Sequence, residues 1–127
     1  MLDTDSVSYA LRGVGAVGDR ILEHRPSELC ISAVTLAELR YGAHKRSSTK
    51  LHHLIDAFVR NLVPQEFDSA AADEYGRLAA DLTKRGTPIG AFDTMIAAHA
   101  VARKLVLVTN NQKHFRKIRG LKVENWL

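Results

Sequence analysis

The sequence predicts an α/β fold in which a central parallel sheet of four to five strands is sandwiched by helices. Short apolar runs rich in β-branched residues alternate with longer segments whose apolar residues recur at helical spacing. No repeat, low-complexity tract or linker interrupts this alternation. At 127 residues the chain is long enough for one core, so we expect a single domain over residues 1–127.

The amino-acid composition limits the classes of protein to which this chain can belong. The chain is 46% hydrophobic and 25% charged, as globular proteins are, and no apolar run approaches the ~20 residues of a membrane-spanning helix. Cys30 is the one cysteine, which excludes an internal disulfide, and Asp3 stands where a secretion signal would begin. We therefore expect a cytoplasmic protein that has no contact with a membrane.

The first half of the chain is predicted to begin with a short strand that ends in two acids, Asp3 and Asp5. Ser6 is the expected cap of a first helix that runs through Leu11. The elements predicted after it are a helix at 19–24, a strand at 28–32, a helix at 35–41 and a polar loop at 44–50.

The second half contains the clearest amphipathic helix, which spans residues 51–62 behind a cap at position 48 or 49. Another helix is expected between a cap at position 68 or 69 and a basic turn at 84–86. Trp126 is expected to fold onto the core. The other predicted elements are an edge strand at 63–67, a strand at 105–108, a short basic helix or turn at 112–119 and a last strand at 123–127.

A single carboxylate, Asp93, stands at the head of an apolar helical pattern. An acid at that point is typical of a helix cap. Phe92 and Ile96 favour burial instead, and a buried carboxylate requires a partner or a metal. The next strand ends in Thr109 and Asn111, and open α/β sheets place their sites at the carboxyl ends of strands. Helix start and strand end are therefore predicted to form two walls of one cleft.

Three acids share this kind of position: Asp3 at a strand end, and Glu38 and Asp93 at helix starts. On one rim of a parallel sheet, three carboxylates repel each other unless a cation neutralises them. Oxygen ligands favour Mg²⁺ or Mn²⁺ over zinc, and such an ion activates water for attack on a phosphoryl group. Glu38 has a second interpretation, because Thr35-x-x-Glu38 also matches a capping box.

The charge of the chain permits an acidic partner, since the net charge is +4 and the pI is near 9.5. Basic side chains gather in the last third of the chain. A cationic rim beside clustered carboxylates is what a metal-dependent nuclease requires, although a solvated cationic face is the alternative. The residues that we predict to bind a nucleic-acid backbone are Lys84, Arg85, Lys113 and Arg116.

Four motifs occur in order along the whole chain: Leu2-Asp3-Thr4, Thr35-Leu36-Ala37-Glu38-Leu39, Phe92-Asp93-x-x-Ile96-Ala97-Ala98 and Val108-Thr109-Asn110-Asn111. With them the sequence resembles the PIN-domain ribonucleases, specifically the toxins of VapBC-type toxin–antitoxin pairs. The resemblance implies a Mg²⁺-dependent endoribonuclease that cleaves tRNA or rRNA, inhibits translation until its cognate antitoxin binds, and forms a homodimer. It also implies that Asp3, Glu38 and Asp93 bind the metal. We expect Thr109 and Asn111 to orient water or substrate.

The sequence departs from that family pattern at two positions. Asn111 stands where the family has a fourth acid, and Asp5 stands where the family often has Asn or Ser. We therefore expect one tightly held Mg²⁺, for which Mn²⁺ can substitute. Two other functions are compatible with the residues: a catalytically weak module that binds a partner or nucleic acid, and a phosphatase-like hydrolase of small phosphate esters.

Overall fold

Helices lie on both sides of a small set of parallel extended segments in the computed structural model, which describes all residues 1–127. The two regular strands are β1 (Leu107–Val108) and β2 (Val123–Glu124), and a 3₁₀ turn spans Pro26–Glu28. None of the helices has the length and apolar character needed to cross a membrane. The helices are α1 (Thr4–Arg12), α2 (Val17–Leu22), α3 (Ala33–Lys45), α4 (Thr49–Asn61), α5 (Ser69–Lys84), α6 (Ala91–Ala102) and α7 (Gln112–Phe115).

The parallel pairing is less regular than the sequence predicts. Strands β1 and β2 pair in parallel, and the other extended segments are joined only by single parallel bridges. Pro64 has no N–H to donate, which limits pairing of the segment at 63–67. A regular sheet of four to five strands therefore stays a prediction. The single bridges join Leu2 to Ile31, Leu2 to Val108, and Ser32 to Gln65.

Two apolar clusters form the core on the two sides of these segments. Met1 and Leu107 belong to one cluster, whereas the next residues, Leu2 and Val108, belong to the other. This alternation is the period of two that an extended chain imposes on its side chains. The first cluster includes residues of α5, α6 and α7, and the second includes residues of α1 to α4 together with Trp126, which is buried as predicted.

The first helix begins earlier than predicted. Asp3, and not Ser6, is the cap of α1, because its Oδ1 accepts a hydrogen bond of 2.8 Å from the Ser6 N–H. Asp is as good a cap as Ser, and the extended backbone of Asp3 suits that position. The caps of α4 and α5 are confirmed at Ser48 and Asp68.

Helix α3 begins and ends outside the predicted range of 35–41. The Ser32 Oγ accepts a hydrogen bond of 3.1 Å from the Val34 N–H and caps the helix, so Thr35 lies inside it. The helix passes through Gly42 and ends at Lys45. A glycine inside a helix costs about 1 kcal/mol relative to alanine, which packing of the neighbouring Leu39 and Ala43 in the core offsets.

Candidate active site

Asp3 and Thr109 directly follow Leu2 and Val108, which form a parallel bridge. Both residues therefore lie at the same edge of the paired segments. The Asp3 side chain is 3% exposed, and its backbone N–H donates to the Val108 carbonyl at 3.0 Å. Burial raises the pKa of Asp3, hydrogen bonds from Thr109 and Ser6 oppose this rise, and the charge of Asp5 adds to it. Thr109 is fully buried beside this carboxylate.

Glu38 lies near the middle of α3 and contacts α1 instead of the start of its own helix. The Thr4 hydroxyl donates a hydrogen bond of 2.6 Å to the Glu38 Oε1. Because Ser32 caps the helix and Glu38 binds Thr4, the capping-box interpretation is wrong. The hydrogen bond draws Glu38 toward the beginning of α1, where Asp3 lies.

Asp93 occupies the first turn of α6, but it does not cap the helix. The cap position is Gly90, and no side chain makes a capping hydrogen bond there. Burial raises the pKa of Asp93, the charge of Asp5 raises it further, and His114 lowers it. Asp93 is therefore a half-buried carboxylate that no capping interaction explains.

His114 is a site residue that the sequence analysis missed. It lies on α7, the short helix that begins directly after Asn111, and it is near enough to Asp93 to lower the pKa of that carboxyl. Its Nδ1 is buried without a hydrogen-bond partner. The signal in the sequence is its position three residues after Asn111, one helical turn from the end of the strand.

The acids influence one another as members of one cluster. Burial raises the pKa of Glu38, the Thr4 hydrogen bond opposes this, and the charges of Asp93, Asp5 and Asp3 raise it further. None of these four acids forms an ion pair with a basic side chain. Asp3, Asp93 and the exposed Asp5 are therefore all near enough to Glu38 to raise its pKa, and none of the four carboxylates forms a salt bridge.

The donors fit a hard cation in kind and in charge. All are carboxylate oxygens, which suit Mg²⁺ or Mn²⁺, and a divalent cation would remove their mutual repulsion. As the side chains stand, no group of three histidine, cysteine or acidic side chains is close enough to hold a metal ion. Repulsion between like charges favours this wider spacing. Binding of an ion thus requires side-chain adjustment.

Asn111 lies at the same edge with its side-chain amide available. It precedes α7 in the cap position but makes no side-chain capping hydrogen bond. Its backbone N–H donates to the Thr109 Oγ1 at 2.9 Å, which fixes the turn after β1. The roles predicted for Thr109 and Asn111 therefore remain open to test.

The side chains of the four predicted phosphate-binding residues differ in whether they already bind other groups of the protein. Arg85 pairs with Asp81 and donates to the Lys117 carbonyl, so its guanidinium ties the end of α5 to the segment after α7. The side chains of Lys84, Lys113 and Arg116 are exposed. Lys113 lies on α7, two residues after Asn111. Of the four residues it is the nearest in sequence to Asn111, at the edge where the acids lie.

An open apolar wall flanks the acids on one side. A cavity of ≈ 520 Å³ is lined by Thr4, Ala37, Glu38, Tyr41 and Phe92. Tyr41 and Phe92 are 67% and 56% exposed, although aromatic side chains are usually buried. A ligand that reaches Glu38 through this cavity therefore passes exposed aromatic side chains.

Comparisons with known proteins identify relatives over the whole chain. The PIN domain family matches residues 1–121. The tRNA(fMet)-specific endonuclease VapC of Shigella flexneri is 38% identical over 127 residues, which cover 99% of this chain and 96% of that protein. Ribonuclease VapC2 of Haemophilus influenzae is 34% identical over 128 residues, which cover 100% of this chain and 97% of the relative.

Solved structures agree with the sequence matches. DNA-bound VapBC from Salmonella typhimurium superposes with a TM-score of 0.90 at 37% identity, covering 100% of this chain and 97% of that one. VapBC2 from Rickettsia felis, bound to a DNA fragment from the promoter, gives a TM-score of 0.89 at 35% identity, covering 100% and 98%. The chain therefore belongs to the PIN-domain family, and its relatives within that family are the VapC proteins.

Proposed function

We propose that this protein is a Mg²⁺-dependent endoribonuclease, the toxin of a type II toxin–antitoxin pair, which cleaves RNA of the tRNA or rRNA class and thereby inhibits translation. The observation that carries the proposal is the cluster of Asp3, Glu38 and Asp93, three carboxylates with raised pKa values and no salt bridge to a basic side chain. Named VapC relatives are endonucleases or ribonucleases, which supports RNA as the substrate.

Each side chain of the site has a role in this mechanism. When bound, Mg²⁺ supplies an activated water and stabilises negative charge on the phosphoryl oxygens. Asp3, Glu38 and Asp93 would hold the ion, for which Mn²⁺ could substitute. The Thr4 hydroxyl fixes the carboxylate of Glu38 by the hydrogen bond described above, and the buried Thr109 supports the carboxylate of Asp3. The Asn111 amide orients water or the substrate.

An antitoxin protein is the proposed regulator, because the solved relatives are VapBC complexes. The apolar wall with Tyr41 and Phe92 shares Thr4 and Glu38 with the site. A protein segment that covers these rings buries apolar surface and blocks access to the carboxylates at the same time. We also expect the toxin to form a homodimer and to act in the cytoplasm.

The experiment that tests the proposal compares substrates and metals. The purified protein is incubated with a tRNA pool that contains tRNA(fMet), with rRNA, and with a generic phosphate ester, each with Mg²⁺, Mn²⁺ or a chelator. We expect cuts at defined positions in RNA that depend on either ion and no turnover of the ester. Turnover of the ester alone would indicate a phosphatase, and RNA binding without cleavage would indicate a binding module.

A further inference from the structure

A second cavity opens beside the carboxylates, between helices α1 and α3. Its volume is ≈ 150 Å³. At one end its lining includes Thr4, Asp5 and Glu38, which belong to the candidate active site, and farther along both helices it includes Arg12 and Arg46. We call this cavity the α1–α3 groove. It connects the acids to two cationic side chains.

The direction and length of the groove follow from helix geometry. Asp5, Ser8 and Arg12 lie at helical spacing on one face of α1, and Glu38 and Arg46 lie two turns apart on α3. A helix rises 1.5 Å per residue, so each arginine lies roughly 10–12 Å along its helix from the acid on the same wall. That separation corresponds to a few nucleotides of an extended strand.

The two arginines are available to an anion. Neither forms an ion pair with an acid. The Arg12 Nε donates only to the carbonyl of Ser8 at 3.3 Å, and its guanidinium lies 5.2 Å from the centroid of the Tyr9 ring. Arg46 is exposed at the end of α3, where its backbone N–H closes the helix.

Gly42 leaves the groove open between these ends. A Cβ built on Gly42 meets no atom within 4 Å, so the space beside it is empty. The backbone at Gly42 is helical and imposes no requirement for glycine. Most other residues would stabilise the helix at this position. Gly42 therefore contributes no side chain to the wall of the groove.

We propose that the α1–α3 groove is the track of the RNA strand on one side of the scissile phosphate, with Arg12 and Arg46 bound to its phosphates. This inference rests on the proposed function, because it assigns the carboxylate end of the groove to the cut. RNA fits better than an acidic protein segment, since the groove leads into Asp5 and Glu38. The proposed function already places an RNA phosphate at that end of the groove, whereas no residue of the groove there favours an acidic side chain.

The first test is the double variant Arg12→Gln/Arg46→Gln. We expect KM for RNA to rise about tenfold or more while kcat stays within about twofold, because phosphates outside the cut are bound equally in ground and transition states. The slope of log K against log salt concentration should fall by about 0.7 per arginine if the strand is single. Unchanged KM and salt slope would overturn the proposal.

The matched control is Arg60→Gln/Lys122→Gln, which removes the same charge. Arg60 is exposed near the end of α4, and Lys122 precedes β2, at the end of the sheet opposite to the acids. We expect KM within about twofold of wild type and a smaller change in salt slope, because these side chains have no direct contact with the strand. An equal rise in KM for both double variants would show a net-charge effect and refute a specific track.

A variant that does not weaken the fold provides the second test. Gly42→Glu adds a better helix former in empty space, so the melting temperature should not fall. Its side chain places a negative charge in the groove, and KM for RNA should rise as in the arginine variant. A normal KM in this folded variant would exclude the groove from the strand's path.

Failure of the inference can be separated from failure of the proposed function. RNA binding is measured with and without the arginine substitutions in an Asp93→Asn background, so the groove is tested even if the wild type cuts no RNA. Loss of RNA affinity in the arginine variant supports the track. Retained RNA affinity with lost binding of polyglutamate would overturn it and assign the groove to an acidic protein segment.

Discussion

Glu38→Gln tests whether this side chain binds the metal or only joins α3 to α1. Glutamine keeps an oxygen that can accept from the Thr4 hydroxyl, now 2.6 Å from the Glu38 Oε1, but it removes the charge. A hydrogen bond to a neutral acceptor is weaker by about 1 kcal/mol than one to a carboxylate. Relief of repulsion from Asp93, Asp5 and Asp3 opposes that loss. We therefore expect the unfolding free energy without metal to change by no more than about 1 kcal/mol.

The effect of Mg²⁺ distinguishes the two roles. An ion at about 100 times its Kd stabilises the native state by about 2.7 kcal/mol. If Glu38→Gln weakens binding about tenfold, the same concentration stabilises the variant by only about 1.4 kcal/mol. At roughly 3–6 °C per kcal/mol for a domain of this size, the Mg²⁺-induced rise in Tm should be about 4–8 °C smaller. RNA cleavage should fall roughly tenfold or more.

Thermal unfolding with Mg²⁺ and with chelator, beside RNA cleavage, measures both effects. Glu74→Gln is the matched control, since Glu74 is a partly exposed acid on α5 paired with Arg77. Its Mg²⁺ response and activity should equal those of the wild type. An unchanged Mg²⁺ response and full activity in Glu38→Gln would reduce Glu38 to a structural link between two helices.

Two further substitutions test the site, and a third tests a buried histidine of the core. Asp93→Asn should abolish RNA cleavage and cost at most about 1 kcal/mol of stability, the value of a charge near a helix start; cleavage at the wild-type rate would refute the metal site. Asn111→Asp should tighten Mg²⁺ binding in calorimetric titration, and an equal or weaker affinity would place Asn111 beyond reach of the ion. His99 is buried, its Nδ1 lies 2.8 Å from the Ser32 Oγ, and its Nε2 has no hydrogen-bond partner. Burial lowers the pKa of His99, the charge of Arg103 lowers it further, and the charge of Asp68 opposes this decrease. The stabilisation of the fold by neutral His99 is present above the usual histidine pKa and is lost as the pH falls toward the folded-state pKa. The difference in Tm between the wild type and His99→Gln should therefore shrink between pH 7 and 5. A constant difference would show that the fold does not lower the pKa of His99.

Features that depend on a few adjacent residues could be predicted from the sequence. The apolar spacing of α4 and its cap at Ser48, and the cap of α5 at Asp68, are confirmed. A cap hydrogen bond joins groups two or three residues apart, and helical periodicity is complete within two turns. The order of the acidic motifs along the chain likewise led to the family before any contact was known.

Where several residues of suitable type could cap a helix, their side-chain chemistry did not determine which of them occupies the cap position. Ser6 and Thr35 are good caps by type, yet Asp3 and Ser32 have the extended backbone and take that position. The parallel bridges at Leu2 and Ser32 determine where the extended segments end. These bridges join residues far apart in the chain, so no short window of sequence contains them.

The tertiary structure alone decided which partners the acids have. Glu38 binds Thr4, which is 34 residues away, and Asp93 is influenced by Asp5 and His114 from two other elements. It also aligned α1 with α3, so that Arg12 and Arg46 line one groove although the sequence placed the cationic rim in the last third of the chain. Sequence determines which groups can donate, accept or carry charge. Which of them meet depends on helix packing and strand register, because these bring together residues from distant parts of the chain.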